Sequence, residues 1–249
     1  MKGFCQAQNF VAFKIISLYT EDMLNPYRYA KVLLIFAITG CFCVAIATPD
    51  EIRRERPGIL FSPSKIPLLE DPGRDVWQKP DEVLNALDMK RGQVVADIGA
   101  GSGYLTAKLS ERVGESGLVY AVDIQQEMID YTKKKLMDRG LKNVVAILGD
   151  VNDPKLPPEK TDTIILLSTY HEIARPIEFV KKLKLALKPR GKLAILEFTD
   201  ESPIGPPLKF RLPEDVVMHE MQQADFTLLQ KYTLLLPYQY FLVFTPSNP

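Results

Sequence analysis
From about residue 80 onward the apolar positions alternate between two spacings. Asp81 to Leu87 has the 3.6-residue spacing of a helix, with Pro80 near its first turn and Gly92 beyond its end. Val94 to Ile98 is a short apolar run of strand type, followed by Gly99-Ala100-Gly101-Ser102-Gly103 and by helical periodicity from Tyr104 to Val113. The next strand, Leu118 to Val122, ends in Asp123, and a helix from Gln126 to Arg139 closes at Gly140, a residue suited to a left-handed helix end. Further strands are expected at Asn143 to Leu148, Thr161 to Ser168 and Lys192 to Phe198, with a helix at Ile177 to Leu187 ended by Pro189 and Gly191.

Strands that alternate with helices must pair in parallel, with helices on both faces of the sheet. The end of the chain breaks that pattern. After a helix from Glu214 to Asp225, Phe226 to Leu236 and Tyr238 to Thr245 read as two strands joined tightly near Pro237, hence as an antiparallel hairpin. The expected fold is therefore α/β and doubly wound. Its seven-stranded sheet is mostly parallel, with an antiparallel C-terminal hairpin.

Ahead of this domain, 74–249, the pattern differs. Val32 to Ala47 is a nearly unbroken apolar run preceded by Arg28 and Lys31. A positive flank, an apolar run and small residues at the exit are the parts of a secretory signal peptide, and Ala45-Ile46-Ala47 fits a cleavage site. Ile38-Thr39-Gly40-Cys41 resembles a bacterial lipobox, so a lipoprotein signal competes with simple cleavage. A membrane span needs about 20 apolar residues, so an uncleaved anchor is less favoured. Met23 would set flank and run at the usual distance from a start, in which case the first 22 residues are an upstream start error. Residues 1–48 are thus expected to direct the chain to or across a membrane, with 49–73 as an exposed Pro- and charge-rich linker.

Lys plus Arg equals Asp plus Glu at 31 each, so no bulk charge draws the chain to polyanions and no nucleic-acid partner is expected. Cys5, Cys41 and Cys43 all lie in the first fifth of the chain, and the two histidines, His171 and His219, sit in separate segments. Neither a thiolate nucleophile nor a structural zinc site can be assembled in the domain from that set, and no metal is expected.

Glycines at 99, 101 and 103 stand where the first strand turns into a helix, allowing a sharp bend and close approach of a ligand. In an open parallel sheet the crevice lies outside the strand C-termini. Asp123 ends the second strand about twenty residues further on, where a carboxylate can accept from both hydroxyls of a ribose. A nucleoside cofactor is indicated. The dinucleotide fingerprint would need glycine where Tyr104 stands.

The stretch Val95-Ala96-Asp97-Ile98-Gly99-Ala100-Gly101-Ser102-Gly103-Tyr104 closely resembles the first motif of class I S-adenosylmethionine-dependent methyltransferases. Three more stretches agree in order and spacing: Ala121-Val122-Asp123-Ile124, Leu148-Gly149-Asp150-Val151, and Leu187 to Leu193. The terminal hairpin also resembles that family. The resemblance implies S-adenosylmethionine as cofactor, with Asp97 and the backbone of Gly99, Gly101 and Gly103 cradling its methionyl and ribose part. Asp123 would hold the ribose hydroxyls, Ile124 would pack on adenine, and Asp150 would accept from the adenine amino group beside the Val151 backbone. Ser168 would touch the methionyl part. Trp77 lies in a segment that closes over the cofactor in related enzymes, with a packing role as the other reading.

Methyl transfer to a small molecule by in-line displacement is chiefly positioning. A base is needed only for a protonated acceptor. Tyr170 and His171, leaving the fourth strand at the crevice mouth, are the candidates for that work. The other reading of His171 is a loop histidine hydrogen-bonding locally, and Glu172 reads as structural or orienting. Lys133-Lys134-Lys135 reads as a solvated face, and His219, inside a helical segment, as a surface or core residue.

Three other functions remain in view. Gly101-Ser102-Gly103-Tyr104 faintly resembles isoaspartyl protein methyltransferases. An NAD(P)-dependent oxidoreductase is opposed by Tyr104 and the hairpin tail, and a non-catalytic cofactor-binding protein by the intact glycines and acids. Ser168-Thr169-Tyr170-His171-Glu172 lacks the Asn/Asp-Pro-Pro-Tyr pattern of amino-group DNA methylases. One tension stands: the cofactor is made in the cytosol, whereas positive residues before the apolar run place the domain outside. A domain facing the cytosol is the alternative.

Overall fold
A computed structural model describes residues 56–247; the apolar run Val32 to Ala47 and the remainder of the expected leader lie outside them. Three short helices, α1 (Ile66–Leu69), α2 (Arg74–Gln78) and α3 (Pro80–Ala86), lead into β1 (Val94–Ile98). The chain continues through α4 (Tyr104–Val113), β2 (Leu118–Asp123), α5 (Gln126–Asp138), β3 (Val144–Leu148), β4 (Thr161–Leu167), α6 (Pro176–Ala186) and β5 (Leu187–Phe198). It ends with α7 (Glu214–Gln223), β6 (Phe226–Tyr232) and β7 (Gln239–Pro246).

The seven strands form one sheet in the order β3-β2-β1-β4-β5-β7-β6. The first five in that order are parallel, and β7 runs antiparallel to both β5 and β6. This is the expected doubly wound architecture with its antiparallel tail. Its central strands are mostly apolar because both faces are covered, with Asp97 as a buried break in β1. On β4, Ile164 and Leu166 join the core beneath α6 and α7, while Ile165 and Leu167 join the core beneath α3 and α4. On β5 the same division separates Leu193 and Ile195 from Ala194 and Leu196. No helix of the described residues is long and apolar enough to cross a membrane.

Helix ends follow local chemistry. Pro80 opens α3 at its first position, where the missing N–H costs nothing. Gly140, at φ +68°, ends α5: its N–H reaches Met137 O at 2.9 Å while Leu141 N–H reaches Leu136 O at 3.0 Å. Both bonds belong to a Schellman motif.

Two boundaries, the start of β5 and the end of β6, depart from the sequence pattern by four residues or more; the others shift by two at most. β5 begins at Leu187 instead of Lys192, because Leu187 pairs with Thr161 before the register breaks and resumes at Lys192 with Thr163. Lys188 holds that early stretch by pairing with Asp162 at 2.8 Å, so Pro189 and Gly191 sit in a strand irregularity. β6 ends at Tyr232 and β7 starts at Gln239, so their connection is longer than a tight turn; buried Leu236 draws it onto the core beside α3 and α4.

The segment expected as an exposed linker is, over 56–73, folded against the domain. Arg56 donates to both carboxylate oxygens of Glu220 at 2.7 and 2.8 Å, and to the carbonyls of Tyr170 and Ile173 at 2.9 and 2.8 Å. Glu70 accepts from Lys135 at 2.6 Å and from Ser102 Oγ at 2.5 Å. Lys135 therefore does not belong to a solvated face, although Lys133 and Lys134 are exposed. Residues 56–78 form a roof over the C-terminal ends of the parallel strands.

Candidate active site
The crevice floor is the turn after β1. Gly99 and Ala100 donate to Val122 O at 2.8 and 3.0 Å, which draws the turn across the end of β2. Gly101 N–H donates to Asp123 Oδ2 at 2.9 Å, and Gln125 N–H donates to Asp123 Oδ1 at 2.9 Å. The acid and the glycine turn are thus one unit, and each carboxylate oxygen keeps acceptor capacity beyond its backbone bond. Burial raises the Asp123 pKa, against the backbone N–H donors that lower it.

All three glycines of the turn have positive φ, and the space around each is limited. At Gly99, with φ +71°, an added Cβ would lie 2.4 Å from Thr169 Cγ2. Gly99→Ala is expected to cost about 3 kcal/mol, combining left-handed strain with overpacking, and to lower the thermal midpoint by roughly 6–12 °C. Gly140→Ala, at a similar φ of +68° but with nothing within 4 Å, is the matched control. It should cost only about 1 kcal/mol. Equal losses in the two unfolding curves would show that contact with Thr169 has no part in the effect.

Asp97 is buried beneath the turn and accepts from Thr106 Oγ1 at 2.6 Å. Burial pushes its carboxyl up to about 6. Ile124, Asp150 and Val151 lie at the exits of β2 and β3 on the open side, and Val151 is 59% exposed. Gly149 N–H ties the β3 exit to Asp123 O at 2.9 Å. Asp150 and Asp153 form a small backbone bridge, with N–H to O distances of 2.7 and 3.1 Å. Ser168 follows β4 at φ +55°, and its hydroxyl accepts from Gln239 Nε2 at 2.7 Å.

Across the crevice mouth the turn Tyr170–Glu172 carries a buried acid–base cluster. His171 Nδ1 lies 3.0 and 3.1 Å from the two carboxylate oxygens of Glu197, which also accepts from His171 N–H at 3.1 Å. Nε2 faces Glu172 Oε1 at 4.0 Å. Burial opposes a charged imidazole, yet the Glu197 carboxylate outweighs it and the His171 pKa is raised. Burial pushes Glu172 up to about 7, with Glu197 and Asp123 adding repulsion. Gly58 seals the cluster from above: a Cβ there would sit 2.7 Å from His171 Cδ2.

Tyr170 does not join this cluster. Its ring is fully buried in the core, and its hydroxyl donates to Glu220 Oε2 at 2.8 Å, beneath the Arg56 guanidinium. The expectation of an acid–base tyrosine at the mouth is corrected accordingly, because apolar burial and Glu220 turn the side chain away. Trp77 packs against Phe198 and Tyr238, with ring centroids 5.9 and 6.2 Å apart, which favours the packing reading. His219 is exposed. Glu197 was missed by pattern, although a lone acid near the end of an apolar strand was a visible signal.

The raised acids set a pH dependence. Asp97 and Glu172 hold protons in the folded chain at a pH where the unfolded chain has lost them. Their stabilisation is complete below about pH 4 and lost as the pH rises through 6 to 7. The ligand-free protein should be more stable at pH 5 than at pH 7.5, on the order of 3 kcal/mol, as read from chemical unfolding. Asp97→Asn should flatten part of that slope; an unchanged slope in the variant would remove Asp97 from the account.

Residues 89–232 match a family model described as a methyltransferase domain. Among curated relatives, a ubiquinone/menaquinone biosynthesis C-methyltransferase of Azotobacter vinelandii is 34% identical over 115 residues, 46% of each chain. Its namesake from Proteus mirabilis is 31% identical over 134 residues, 53% of this chain and 52% of that protein. The chain spans about half the length of these relatives. A solved S-adenosylmethionine-dependent methyltransferase from Aquifex aeolicus is 34% identical, with a TM-score of 0.71, covering 74% of this chain and 98% of that one.

Proposed function
We propose, for a chain that belongs to the S-adenosylmethionine-dependent methyltransferase family, that it methylates a small molecule whose acceptor atom must lose a proton. The sulfonium of the cofactor supplies an electrophilic methyl group. The protein's part is to hold both reactants in line and to accept the proton. Asp123 takes the ribose hydroxyls; Ile124 and the Val151 backbone flank adenine, with Asp150 accepting from its amino group. The turn at Gly99, Gly101 and Gly103 admits the rest of the cofactor over Asp97, toward Ser168.

The observation that carries the acceptor reading is the His171–Glu197–Glu172 cluster. Glu197 holds the imidazole through Nδ1, which leaves Nε2 as the acceptor of a proton arriving by way of Glu172. The relatives' name specifies a carbon acceptor. Replacing C–H by C–CH3 releases one proton per turnover, and a buried base at the crevice mouth suits that balance. The test is transfer of labelled methyl from S-adenosylmethionine to hydroxylated aromatic small molecules, isoaspartyl peptides and oligonucleotides in parallel. Label in the small molecules alone supports the reading. Label in peptide or oligonucleotide alone replaces it.

Export or membrane anchoring through Val32 to Ala47 belongs to the same proposal, on the strength of Arg28 and Lys31 before the run. Mass analysis of the mature N-terminus, with fractionation, checks it. An unprocessed chain recovered wholly in the cytosolic fraction would sink the idea.

A further inference from the structure
We propose that α2 reads the amino-acid end of the cofactor, Arg74 pairing with its carboxylate and Gln78 accepting from its ammonium. The proposal rests on the cofactor reading above and adds to it two residues outside the four resembling motifs.

Arg74 is a cation packed into the roof without a matching anion. Its guanidinium lies 3.9 Å from the centre of the Tyr104 ring and donates from Nη1 to Leu69 O at 3.0 Å. Nε is buried with no hydrogen-bond partner. Three carboxylates attract it from nearby, Asp97, Glu70 and Asp75, but each is committed elsewhere. Asp97 accepts from Thr106, Glu70 from Ser102 and Lys135, and Asp75 from Tyr104 Oη and Lys108. Among the described residues, no carboxylate pairs with Arg74. A half-buried guanidinium whose Nε is buried without an acceptor is complementary to an anion that arrives with a ligand, and its planar fork suits a carboxylate.

Gln78 lies one turn further along, on the same helix face as Arg74. It is 1% exposed. Its Nε2 donates to Gln239 Oε1 at 2.5 Å, and Gln239 in turn donates to Ser168 Oγ at 2.7 Å. That chain fixes the amide and leaves Oε1 a buried acceptor without a donor. One face of α2 therefore offers an unmet donor and an unmet acceptor, the complement of a zwitterion. The placement agrees: Leu69, just before α2, lies 3.2 Å from where a Cβ on Gly101 would be, and Tyr104 follows the glycine turn. Ser168 marks the other wall, at the end of β4.

The experiment is calorimetric titration of the full-length chain with three ligands: S-adenosylhomocysteine, its decarboxylated analogue, and 5′-methylthioadenosine, which lacks the amino-acid end. Wild type should prefer the first over the second. Arg74→Met should lose about 100-fold for S-adenosylhomocysteine while the other two move less than about threefold. Arg74→Lys, keeping charge without the fork, should fall between. Gln78→Met should weaken both ammonium-bearing ligands by about tenfold and spare methylthioadenosine. Unfolding curves identify a variant that has merely lost its fold, in which case Arg74→Lys decides. Equal losses for all three ligands, or no loss for any, would overturn the proposal by making Arg74 a brace of the roof. Wild type that binds none of the three would bring down the cofactor reading itself, and this proposal with it.

Discussion

Asp123→Ala should weaken S-adenosylhomocysteine binding by about 100- to 1,000-fold, the largest effect on affinity expected of any single change in the crevice. The carboxylate works in two directions. Toward the protein it accepts from Gly101 and Gln125, fixing the glycine turn against the β2 exit. Toward the ligand its remaining lone pairs suit two vicinal hydroxyls. Hydrogen bonds to a charged group contribute about 1.5–3 kcal/mol each, and alanine removes two of them at once. It also leaves two backbone N–H groups without their acceptor, so some affinity is lost through a looser turn. Asp123→Asn separates these contributions. It retains one carbonyl acceptor but presents an NH2 group to a backbone donor or a ribose hydroxyl. Titration of both variants beside wild type is the measurement, and a 2′-deoxy analogue of the ligand should show a much smaller penalty from the asparagine change. Unaltered affinity in the alanine variant would take the ribose away from Asp123.

His171→Gln should lower kcat by about 10²- to 10⁴-fold with cofactor affinity changed less than about threefold. The imidazole lies across the mouth from the glycine turn, so its removal is felt by the acceptor's proton and not by the nucleoside. Glu197→Gln should give a smaller loss in kcat together with a shifted pH profile. The amide no longer raises the His171 pKa, and the acidic limb moves to lower pH as the imidazole becomes easier to deprotonate. That shift separates a proton-handling role from simple support, because a purely structural glutamate would reduce activity at every pH alike. A His171→Gln variant with full activity on the best acceptor would leave the cluster without a chemical role.

What the sequence conveyed was whatever repeats within one element or one turn. The run Val94–Ile98, three glycines and Tyr104–Val113 needed no partner from elsewhere to be read, and the structure has both elements with those bounds. The parallel sheet and its reversed tail followed from the order of elements. The roof was not visible, for two physical reasons. Its helices span only four and five residues, too short for periodicity to emerge. Its attachments join residues distant in sequence, as with Glu70 and Lys135, 65 positions apart. Composition rich in proline and charge then reads as tether even where the chain is packed. Tyr170 shows the same limit at the scale of one side chain. Its place at the end of β4 was plain, but the direction of its ring depends on Glu220 and Arg56, which no local pattern specifies.

The Arg56–Glu220 clasp has a consequence for how the molecule comes together. It closes a span of 164 residues, and contacts of such long range wait until the intervening chain has condensed. Glu220 lies on α7, which becomes available only after five strands have been made. A ribosome delivers the chain N-terminus first. Glu70 can dock on Lys135 as soon as α5 has formed, but the Arg56 end of the roof, synthesised earlier still, closes only when α7 has arrived to hold it.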